Sequence, residues 1–408
     1  MRTQAPQPAR AARPQAAPAP AGLARRQVHA VAGCYFVASF AALGLPPYLT
    51  SILPGLGDPH GRWAGLLYIV PTVFSALGAP LWGHLADRFG RKRLLLRAQL
   101  GLSVSFLLAG LANSLPAFAL ALVLQGFLGG TFAATNGYLA AALEGPGLSR
   151  ALTLMQGAAR AALVAAPILV GALSPWLSPH RQYVVMAVLP LAAAALLARL
   201  PEPRRAEPLD TGAAGAGAEQ PDERPPTGLR ALYLYEFAFV FATIISFPYL
   251  IALVEQRVPG MNGTVAGALF ALPHLVYLLT AARVHTAVLE RPQAALALGF
   301  TLVAAGLAGH GPAHSTLTFA LARLVLGAGM TLGLVSLSVL AADAARGRRP
   351  GRMFGTLELI SKGGAVAAGA IAALVNSAFG AGATVLVGTA AALVTAAVSV
   401  LSRTRWSH

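Results

Sequence analysis

The sequence predicts an all-α polytopic membrane protein in which twelve transmembrane helices form two six-helix bundles around a central cavity. Three observations predict this fold: a strongly apolar composition, twelve apolar segments of membrane length, and an internal repeat relating the first six segments to the last six. The 408 residues are 56% hydrophobic and only 11% charged. Soluble domains carry about 25% charged residues, so the composition excludes an ordinary soluble protein.

Segments of about 20 mainly apolar residues are long enough to cross a bilayer at a rise of 1.5 Å per residue. They lie near residues 28–52, 63–84, 94–113, 116–143, 151–173, 181–200, 230–254, 264–285, 294–311, 315–342, 353–375 and 380–401. Residues 1–27 and 201–228 are instead rich in proline, alanine and charge, as disordered tails and linkers are. The expected domains are a disordered cytoplasmic tail (1–27), an N-terminal bundle (28–200), a cytoplasmic linker (201–229), a C-terminal bundle (230–402) and a second tail (403–408).

The two halves of the chain repeat at a nearly constant shift. Pro47-Tyr48-Leu49 in the first segment recurs as Pro248-Tyr249-Leu250 in the seventh, a shift of 201 residues. At a shift of 202, three residues of the fifth segment align with three of the eleventh: Arg150 with Arg352, Gln156 with Glu358, and Arg160 with Lys362. Such a shift across several helix pairs indicates a parallel repeat of six helices, whose axis runs along the membrane normal.

Lysine and arginine are distributed very unequally between the two expected membrane faces. Alternating loops place 24 of them on the face of the loop at residues 83–93, three on the opposite face and three within membrane segments. We call the first the basic face. Cytoplasmic loops are enriched in Lys and Arg, so the basic face and both termini are expected to be cytoplasmic, in a bacterial inner membrane. This distribution explains most of the +16 net charge, and nucleic-acid binding is not expected.

The loop at residues 83–93 reads Gly-His-Leu-Ala-Asp-Arg-Phe-Gly-Arg-Lys-Arg. It resembles the G-x-L-A-D-R-x-G-R-K signature between the second and third helices of major facilitator superfamily transporters. The resemblance implies a conformational latch in which Asp87 contacts the start of the eleventh helix and Arg91 finds an acid at the end of the fourth, where Glu144 is the candidate. The expected latch residues are Gly83, Asp87, Arg88, Gly90, Arg91 and Glu144.

Charged side chains inside a membrane are costly and are therefore functional candidates. The five that the sequence places there are Arg160, Glu236, Arg323, Glu358 and Lys362. For proton coupling we expect Glu236, then Glu358, together with Arg323. The expected substrate cavity contains Tyr35, Arg160, Glu236, Tyr249, His274 and Lys362. Structural alternatives remain open: an intrahelical Glu358–Lys362 ion pair, an Arg160 that reaches the interface, an interfacial Glu236, and a His274 that only packs.

Two further patterns point toward proton-coupled export. Arg323 begins the stretch R-L-V-L-G-A-G, which resembles the R-x-x-Q-G-x-G pattern found on helix 4 of proton-coupled members; here Leu122 takes the arginine's place on helix 4. Residues 162–171 of the fifth segment resemble the G-x-x-x-G-P-x-x-G-G pattern of the antiporter branch, with alanine at both leading glycines. An ordinary alanine-rich packing face is the alternative interpretation of this second pattern.

The resulting functional prediction is a proton-coupled exporter of small amphipathic molecules, drugs or a secreted metabolite such as a siderophore. The intramembrane charges sum to +1, which favours an anionic, zwitterionic or chelating substrate. Alternatives are a proton-coupled uptake symporter or facilitator, and a sensor or scaffold that does not transport. The sequence contains no metal-ligand cluster, nucleophile elbow or phosphate loop, so neither an enzyme, a metal nor a cofactor is expected. The resemblance implies a monomer.

Overall fold

Twelve helical segments make up the computed structural model, which describes residues 23–143, 145–200, 202, 227–345 and 350–403. All regular secondary structure in these ranges is helical. The segments are α1 (Arg25–Leu56), α2 (Ala64–Phe89), α3 (Arg91–Leu111), α4 (Leu115–Ala140), α5 (Gly145–Leu173), α6 (Pro179–Ala198), α7 (Gly228–Arg257), α8 (Gly263–Val288), α9 (Pro292–Ala308), α10 (Thr316–Ala345), α11 (Pro350–Phe379) and α12 (Ala381–Arg403).

The structure confirms the predicted all-helical membrane fold. In the described part of the chain, 11 segments are long and apolar enough to span a membrane, and α9, with 17 residues, is the shorter twelfth. Most residues of the expected tails and linker lie outside the described ranges, so the predicted domain limits stay predictions.

Each half has its own aromatic core. In the first half, the Tyr183 ring packs edge-on against Phe106 and Phe118, with ring centroids 5.6 Å apart in both pairs. In the second half, Phe239 packs edge-on against Phe300 at 5.7 Å. Edge-to-face pairs of buried rings stabilise a core beyond their area of burial. These rings hold α3, α4 and α6 together in one half, and α7 and α9 in the other.

The internal repeat is visible in the packing of proline against glycine. A methyl group added to Gly126 of α4 would collide with the backbone of Pro71 in α2. At the equivalent place in the second half, a methyl group on Gly327 of α10 would lie 2.9 Å from the Cα atom of Pro273 in α8. Only glycine permits so close an approach of two backbones. The two halves therefore pack the same helix pair in the same way.

Both α1 and α7 change to a 3₁₀ turn at the repeated proline–tyrosine motif. These turns are Pro46–Tyr48 in α1 and Phe247–Tyr249 in α7. Proline lacks a backbone N–H and cannot continue the α-helical ladder without a break. Each turn presents a buried tyrosine, Tyr48 or Tyr249, toward the opposite half of the protein.

The two halves meet along two pairs of closely packed helices, which we call the α5–α8 seam and the α2–α11 seam. In the first, methyl groups on Gly171 or Gly267 would collide with the carbonyls of Gly263 and Pro167, respectively. In the second, a methyl group on Gly65 would lie 2.6 Å from the carbonyl oxygen of Gly369. Small residues allow this approach, which dispersion forces then stabilise within a bilayer. The antiporter-like pattern of α5 thus lies in an interface between the halves.

The basic loop is shorter than the sequence predicts. Helix α2 continues to Phe89, so Gly83 lies inside the helix, where an added methyl group would meet no heavy atom within 4 Å. Gly90 ends the helix with a φ of 95°, a left-handed conformation that favours glycine. The predicted loop is therefore the last turns of α2, one glycine and the start of α3.

We expect the substitution Gly65→Ala to destabilise the protein by about 1–3 kcal/mol, because the added methyl group overpacks the α2–α11 seam. The matched control is Gly83→Ala on the same helix, which meets open space and is expected to be neutral or to stabilise by up to about 1 kcal/mol. Thermal unfolding in detergent can be followed through Cys34, the single cysteine, which is buried and becomes reactive on unfolding. Equal unfolding temperatures for the two variants would contradict the close contact.

Candidate substrate and proton site

The α5–α8 seam ends near the middle of the membrane at a charged contact between the halves. The two helices of this seam face each other at three places. Gly171 of α5 contacts Gly263 at the start of α8, and Pro167 contacts Gly267 one turn further along. Two turns beyond that contact, Arg160 faces His274. Arg160 lies about 16 Å from Gly171 at the rise of an α-helix. The arginine donates from Nη1 to Nδ1 of His274 at 3.3 Å. Two residues predicted separately for the cavity are thus direct partners.

His274 is buried, with 1% of its surface exposed, and packs against the rings of Phe247 and Phe270. Because a guanidinium only donates, Nδ1 of His274 must accept the bond and the ring must be neutral, with its proton on Nε2. Nε2 has no hydrogen-bond partner among the described residues. The guanidinium of Arg160 also lies 5.0 Å from the ring centroid of Tyr277, a cation–π contact.

Arg323 is fully buried and donates hydrogen bonds to the backbone of α8. Its Nε donates to the carbonyl of Leu269 at 2.9 Å, and its Nη2 donates to the carbonyl of Phe270 at 2.7 Å. Pro273 lies four residues after Leu269 and has no N–H to donate, so it leaves that carbonyl without its helical partner. Arg323 therefore satisfies carbonyl groups at the proline bend of α8, one turn from His274. Arg323, which the sequence predicts for proton coupling, thus bonds the backbone of α8 next to the site.

The two predicted carboxyl groups lie together on α7 and α11. Glu236 is partly buried and lies beside the hydroxyl of Ser361 on α11. Glu358 forms an ion pair with Lys362, at 3.5 Å between Oε1 and Nζ. The Glu358 carboxylate is also close enough to interact electrostatically with Glu236 and with the hydroxyl of Tyr35 on α1. The intrahelical Glu358–Lys362 ion pair, one of the alternatives that the sequence left open, is therefore formed. The carboxylate of Glu358 also faces the other half of the protein.

Tyr35 and Tyr249, both predicted for the cavity, have different surroundings. Tyr35 is buried in the first half and its ring lies 5.1 Å from that of Phe132. The hydroxyl of Tyr249 accepts from the backbone N–H of Gly65 at 3.0 Å and donates to the carbonyl of Arg62 at 3.2 Å. Both partners are at the start of α2, so Tyr249 joins the halves near the face opposite the basic one.

Tyr48 is the symmetric counterpart of Tyr249. Its hydroxyl donates to the carbonyl of Pro167 at 2.6 Å and lies 3.4 Å from the carbonyl of Gly263, at the start of α8 in the other half. Gly263 is 201 residues after Arg62, so the two tyrosines contact equivalent carbonyls across the interface. We call Tyr48 and Tyr249 the tyrosine pair.

The basic residues that follow Gly90 bind the ends of neighbouring helices. Arg91 donates to the carbonyl of Gly137 in α4 at 3.1 Å, and Lys92 donates to the carbonyl of Ala198 at the end of α6 at 3.0 Å. Cations at helix C-termini satisfy free carbonyls and complement the helix dipole. Arg91 reaches the helix that the latch prediction named.

The structure describes some of the other predicted latch residues and leaves the side chains of two acids outside the described part. Arg88 is exposed and its guanidinium lies 5.4 Å from the ring centroid of Phe89, while the carboxylate of Glu202 lies beside Gly90. The backbone of Asp87 belongs to the last turn of α2, but its side chain and all of Glu144 lie outside the described part of the structure. The latch contacts of these two acids stay predictions.

Sequence reasoning missed Tyr48, Tyr277 and Ser361 as site residues. The repeated Pro-Tyr-Leu motif was a signal for Tyr48, because it makes Tyr48 equivalent to Tyr249. Tyr277 and Ser361 carry no pattern of their own, and only the packing of α8 and α11 shows their roles. Among the described residues, no three His, Cys, Asp or Glu side chains gather in a way that could hold a metal ion.

Comparison with known proteins gives one family match. A family model described as the Major Facilitator Superfamily matches residues 31–305. Multidrug resistance protein MdtG of Erwinia billingiae (strain Eb661) is 40% identical over 112 residues, covering 26% of this chain and 27% of the relative. The MdtG protein of Rahnella sp. (strain Y9602) is 35% identical over 134 residues, covering 32% of each chain. The chain thus matches about a quarter to a third of the length of these relatives.

Solved structures share the fold over nearly the whole chain. The POT family transporter PepTSo has a TM-score of 0.74 at 15% identity, covering 94% of this chain and 99% of that one. The human organic anion transporter MFSD10 (TETRAN) has a TM-score of 0.65 at 20% identity, covering 92% and 99%. At these identities the likeness concerns the arrangement of the helices alone.

We expect Arg323→Gln to lower the free energy of unfolding by roughly 2–4 kcal/mol, because two buried carbonyls lose their charged donor. Arg283→Gln, an exposed arginine near the end of α8, is the matched control and should leave stability unchanged. The measurement is thermal unfolding followed by the reactivity of Cys34. A variant at position 323 as stable as the control would mean that the α8 bend does not need the arginine.

We expect Tyr48→Phe/Tyr249→Phe to weaken the contact between the halves at the face opposite the basic one. The loss of two bonded hydroxyl groups, at about 1 kcal/mol each, corresponds to a roughly thirtyfold shift in the equilibrium between closed and open forms. Spin labels at Trp176 and Gln256, both exposed near that face, report the separation of the halves in a Cys34→Ser background. The double variant should show a new, longer distance; an unchanged distribution would assign the tyrosine pair no role in closure.

Proposed function

The chain belongs to the major facilitator superfamily, and from this premise we propose that it is a proton-coupled exporter of small amphipathic molecules. The observation that carries the proposal is Glu236, a partly buried carboxyl group on α7 that lies beside the hydroxyl of Ser361 and close to a second carboxylate, Glu358. A protonatable group of this kind inside the membrane is what coupling to a proton gradient requires. The relatives named multidrug resistance proteins support export rather than uptake.

The conformation suits the loading step of an exporter. The tyrosine pair and the glycine contacts of both seams join the halves near the face opposite the basic one. Toward the basic face the seam helices lack such contacts at their described glycines: a methyl group added to Gly83 of α2, Gly157 of α5 or Gly355 of α11 would meet no heavy atom within 4 Å. We propose that the cleft receives substrate from the basic face and that both seams separate when substrate is released on the other side.

The proton step that we propose uses the carboxyl pair. Two nearby carboxylates repel each other, and Lys362 offsets only the charge of Glu358, to which it is paired. A proton arriving from the opposite face neutralises Glu236, which removes the repulsion and changes the charge that a bound substrate meets. Arg323 acts indirectly in this scheme, because it positions the α8 bend that carries His274.

The location that we propose is a bacterial inner membrane with the basic face in the cytoplasm. The chain is a multi-pass membrane protein with 11 helices long enough to span a membrane and one shorter apolar helix among the described residues. If all twelve cross the bilayer, as we propose, both termini lie on one face. The 24 Lys and Arg residues assigned to that face support its cytoplasmic orientation. The proposed partners are small-molecule substrates, protons and lipid, and the protein is proposed to act as a monomer.

We expect Glu236→Gln to abolish substrate-dependent proton flux, because the amide cannot take up a proton. The full chain is reconstituted into liposomes containing a pH-sensitive dye, and fluorescent amphipathic compounds are added. Glu255→Gln on the same helix removes an exposed carboxylate near the opposite face and should transport like the wild type. Proton movement in the same direction as the substrate would identify an uptake symporter instead. A fully coupled Glu236→Gln variant would remove this residue from the proton step.

A further inference from the structure

The internal repeat places two cations at equivalent positions of the two seams. Arg160 on α5 and Lys362 on α11 are 202 residues apart, and each lies on a helix that packs against the other half. Lys362 has a counter-ion one turn away, because Glu358 pairs with it at 3.5 Å. The residue equivalent to Glu358 on α5 is Gln156, which is neutral. Each half therefore has a cation at this position, but only the second half has a carboxylate four residues before it.

Arg160 has no carboxylate partner in the described part of the chain. Its hydrogen-bond partner there is the neutral ring of His274, and its other close contact is the face of Tyr277. A guanidinium carries five N–H donors, so most of its capacity is unused. The side chain is partly exposed, and none of its nitrogen atoms is among the buried polar atoms without a partner, so the unused donors can reach a ligand of opposite charge.

We propose that Arg160 binds the acidic group of an amphipathic anion, and that the substrates of this protein therefore belong to that chemical class. A carboxylate is matched by two parallel N–H donors of the guanidinium, and Tyr277 beside it offers an aromatic surface to the apolar part of the same molecule. This inference rests on the proposed transport function and identifies the substrate class of the same cleft.

Binding of the anion is linked to the closure of the α5–α8 seam. The Arg160–His274 hydrogen bond lies on that seam two turns from the contact of Pro167 with Gly267. An anion that takes the guanidinium's donors competes with His274 for Nη1 and weakens this end of the seam. A ligand shifts a conformational equilibrium only through such differential contacts. Substrate binding thereby favours separation of the seam that must open for release.

The test is a binding measurement with two probes that differ in charge alone: naphthalene-1-carboxylate and naphthalene-1-carboxamide. The full chain in lipid nanodiscs is titrated with each probe by calorimetry, without a proton gradient. The wild type is expected to bind the carboxylate about tenfold more tightly, as charge-assisted hydrogen bonds predict. Arg160→Gln should make the affinities for the two probes equal, and a cooperative unfolding transition followed through the buried Cys34 shows that this variant is folded.

A second variant creates the missing counter-ion. Gln156→Glu places a carboxylate four residues before Arg160, the spacing that pairs Glu358 with Lys362. It should lower carboxylate affinity and leave carboxamide affinity unchanged, with no change at Arg160 itself. Arg283→Gln, which removes an exposed cation near the end of α8, is the control for loss of a positive charge outside the site, and it should retain the preference for the carboxylate.

Equal affinity of the wild type for the two probes, or a preference that survives Arg160→Gln, would overturn the inference. The proposed transport function and the proposed substrate class can be refuted independently of each other. Arginine-dependent carboxylate binding without any proton flux in liposomes would leave the anion site standing and refute coupled export. Proton-coupled transport that is equal for neutral and anionic compounds and unaffected by Arg160→Gln would support export and refute the anion site.

Discussion

The close approach of backbones along the two seams is the constraint on which the other features of this structure depend. In a bilayer, lipid tails are as apolar as the helices, so the hydrophobic effect does not drive helix association and short-range packing must do so. Gly65 against Gly369 and Gly267 against Pro167 provide that packing at equivalent places of the repeat. The depth and register of every charged group in the cleft follow from these contacts, since the seams determine which turns face each other.

Side chains bond backbone groups at the proline bend of α8 and at the places where the halves meet. Arg323 donates to carbonyls at the Pro273 bend of α8. The proline-containing 3₁₀ turns present Tyr48 and Tyr249, whose hydroxyls bond backbone groups of α5 and α2. Polar backbone within a membrane must find such partners because the hydrocarbon offers none. Each bend is therefore coupled to a contact with another helix, and the tyrosine contacts extend between the halves.

The two halves share a backbone plan but divide the chemistry unequally. The second half contributes both carboxyl groups, the buried histidine and Lys362, while the first contributes Arg160. Leu122 stands in α4 where α10 has Arg323, and Gln156 stands in α5 where α11 has Glu358. A symmetric scaffold can alternate between two conformations. Substitutions that break the symmetry give one half the carboxyl groups and leave Arg160 in the other half without a carboxylate partner among the described residues.

The sequence alone determined the membrane class, the twelve segments, their repeat and the five charged residues, because hydropathy over membrane length and a constant shift are properties of the linear chain. It also identified Arg160 and His274 without showing that they are partners. Only the tertiary structure decided this pairing, the hydrogen bonds of Arg323 to the backbone of α8, the position of Glu236 beside Ser361 and the extension of α2 to Phe89. These depend on which helix faces meet, and in an alanine- and leucine-rich chain hydropathy hardly distinguishes one face from another. Side-chain contacts across 114 residues arise from packing that no local pattern encodes.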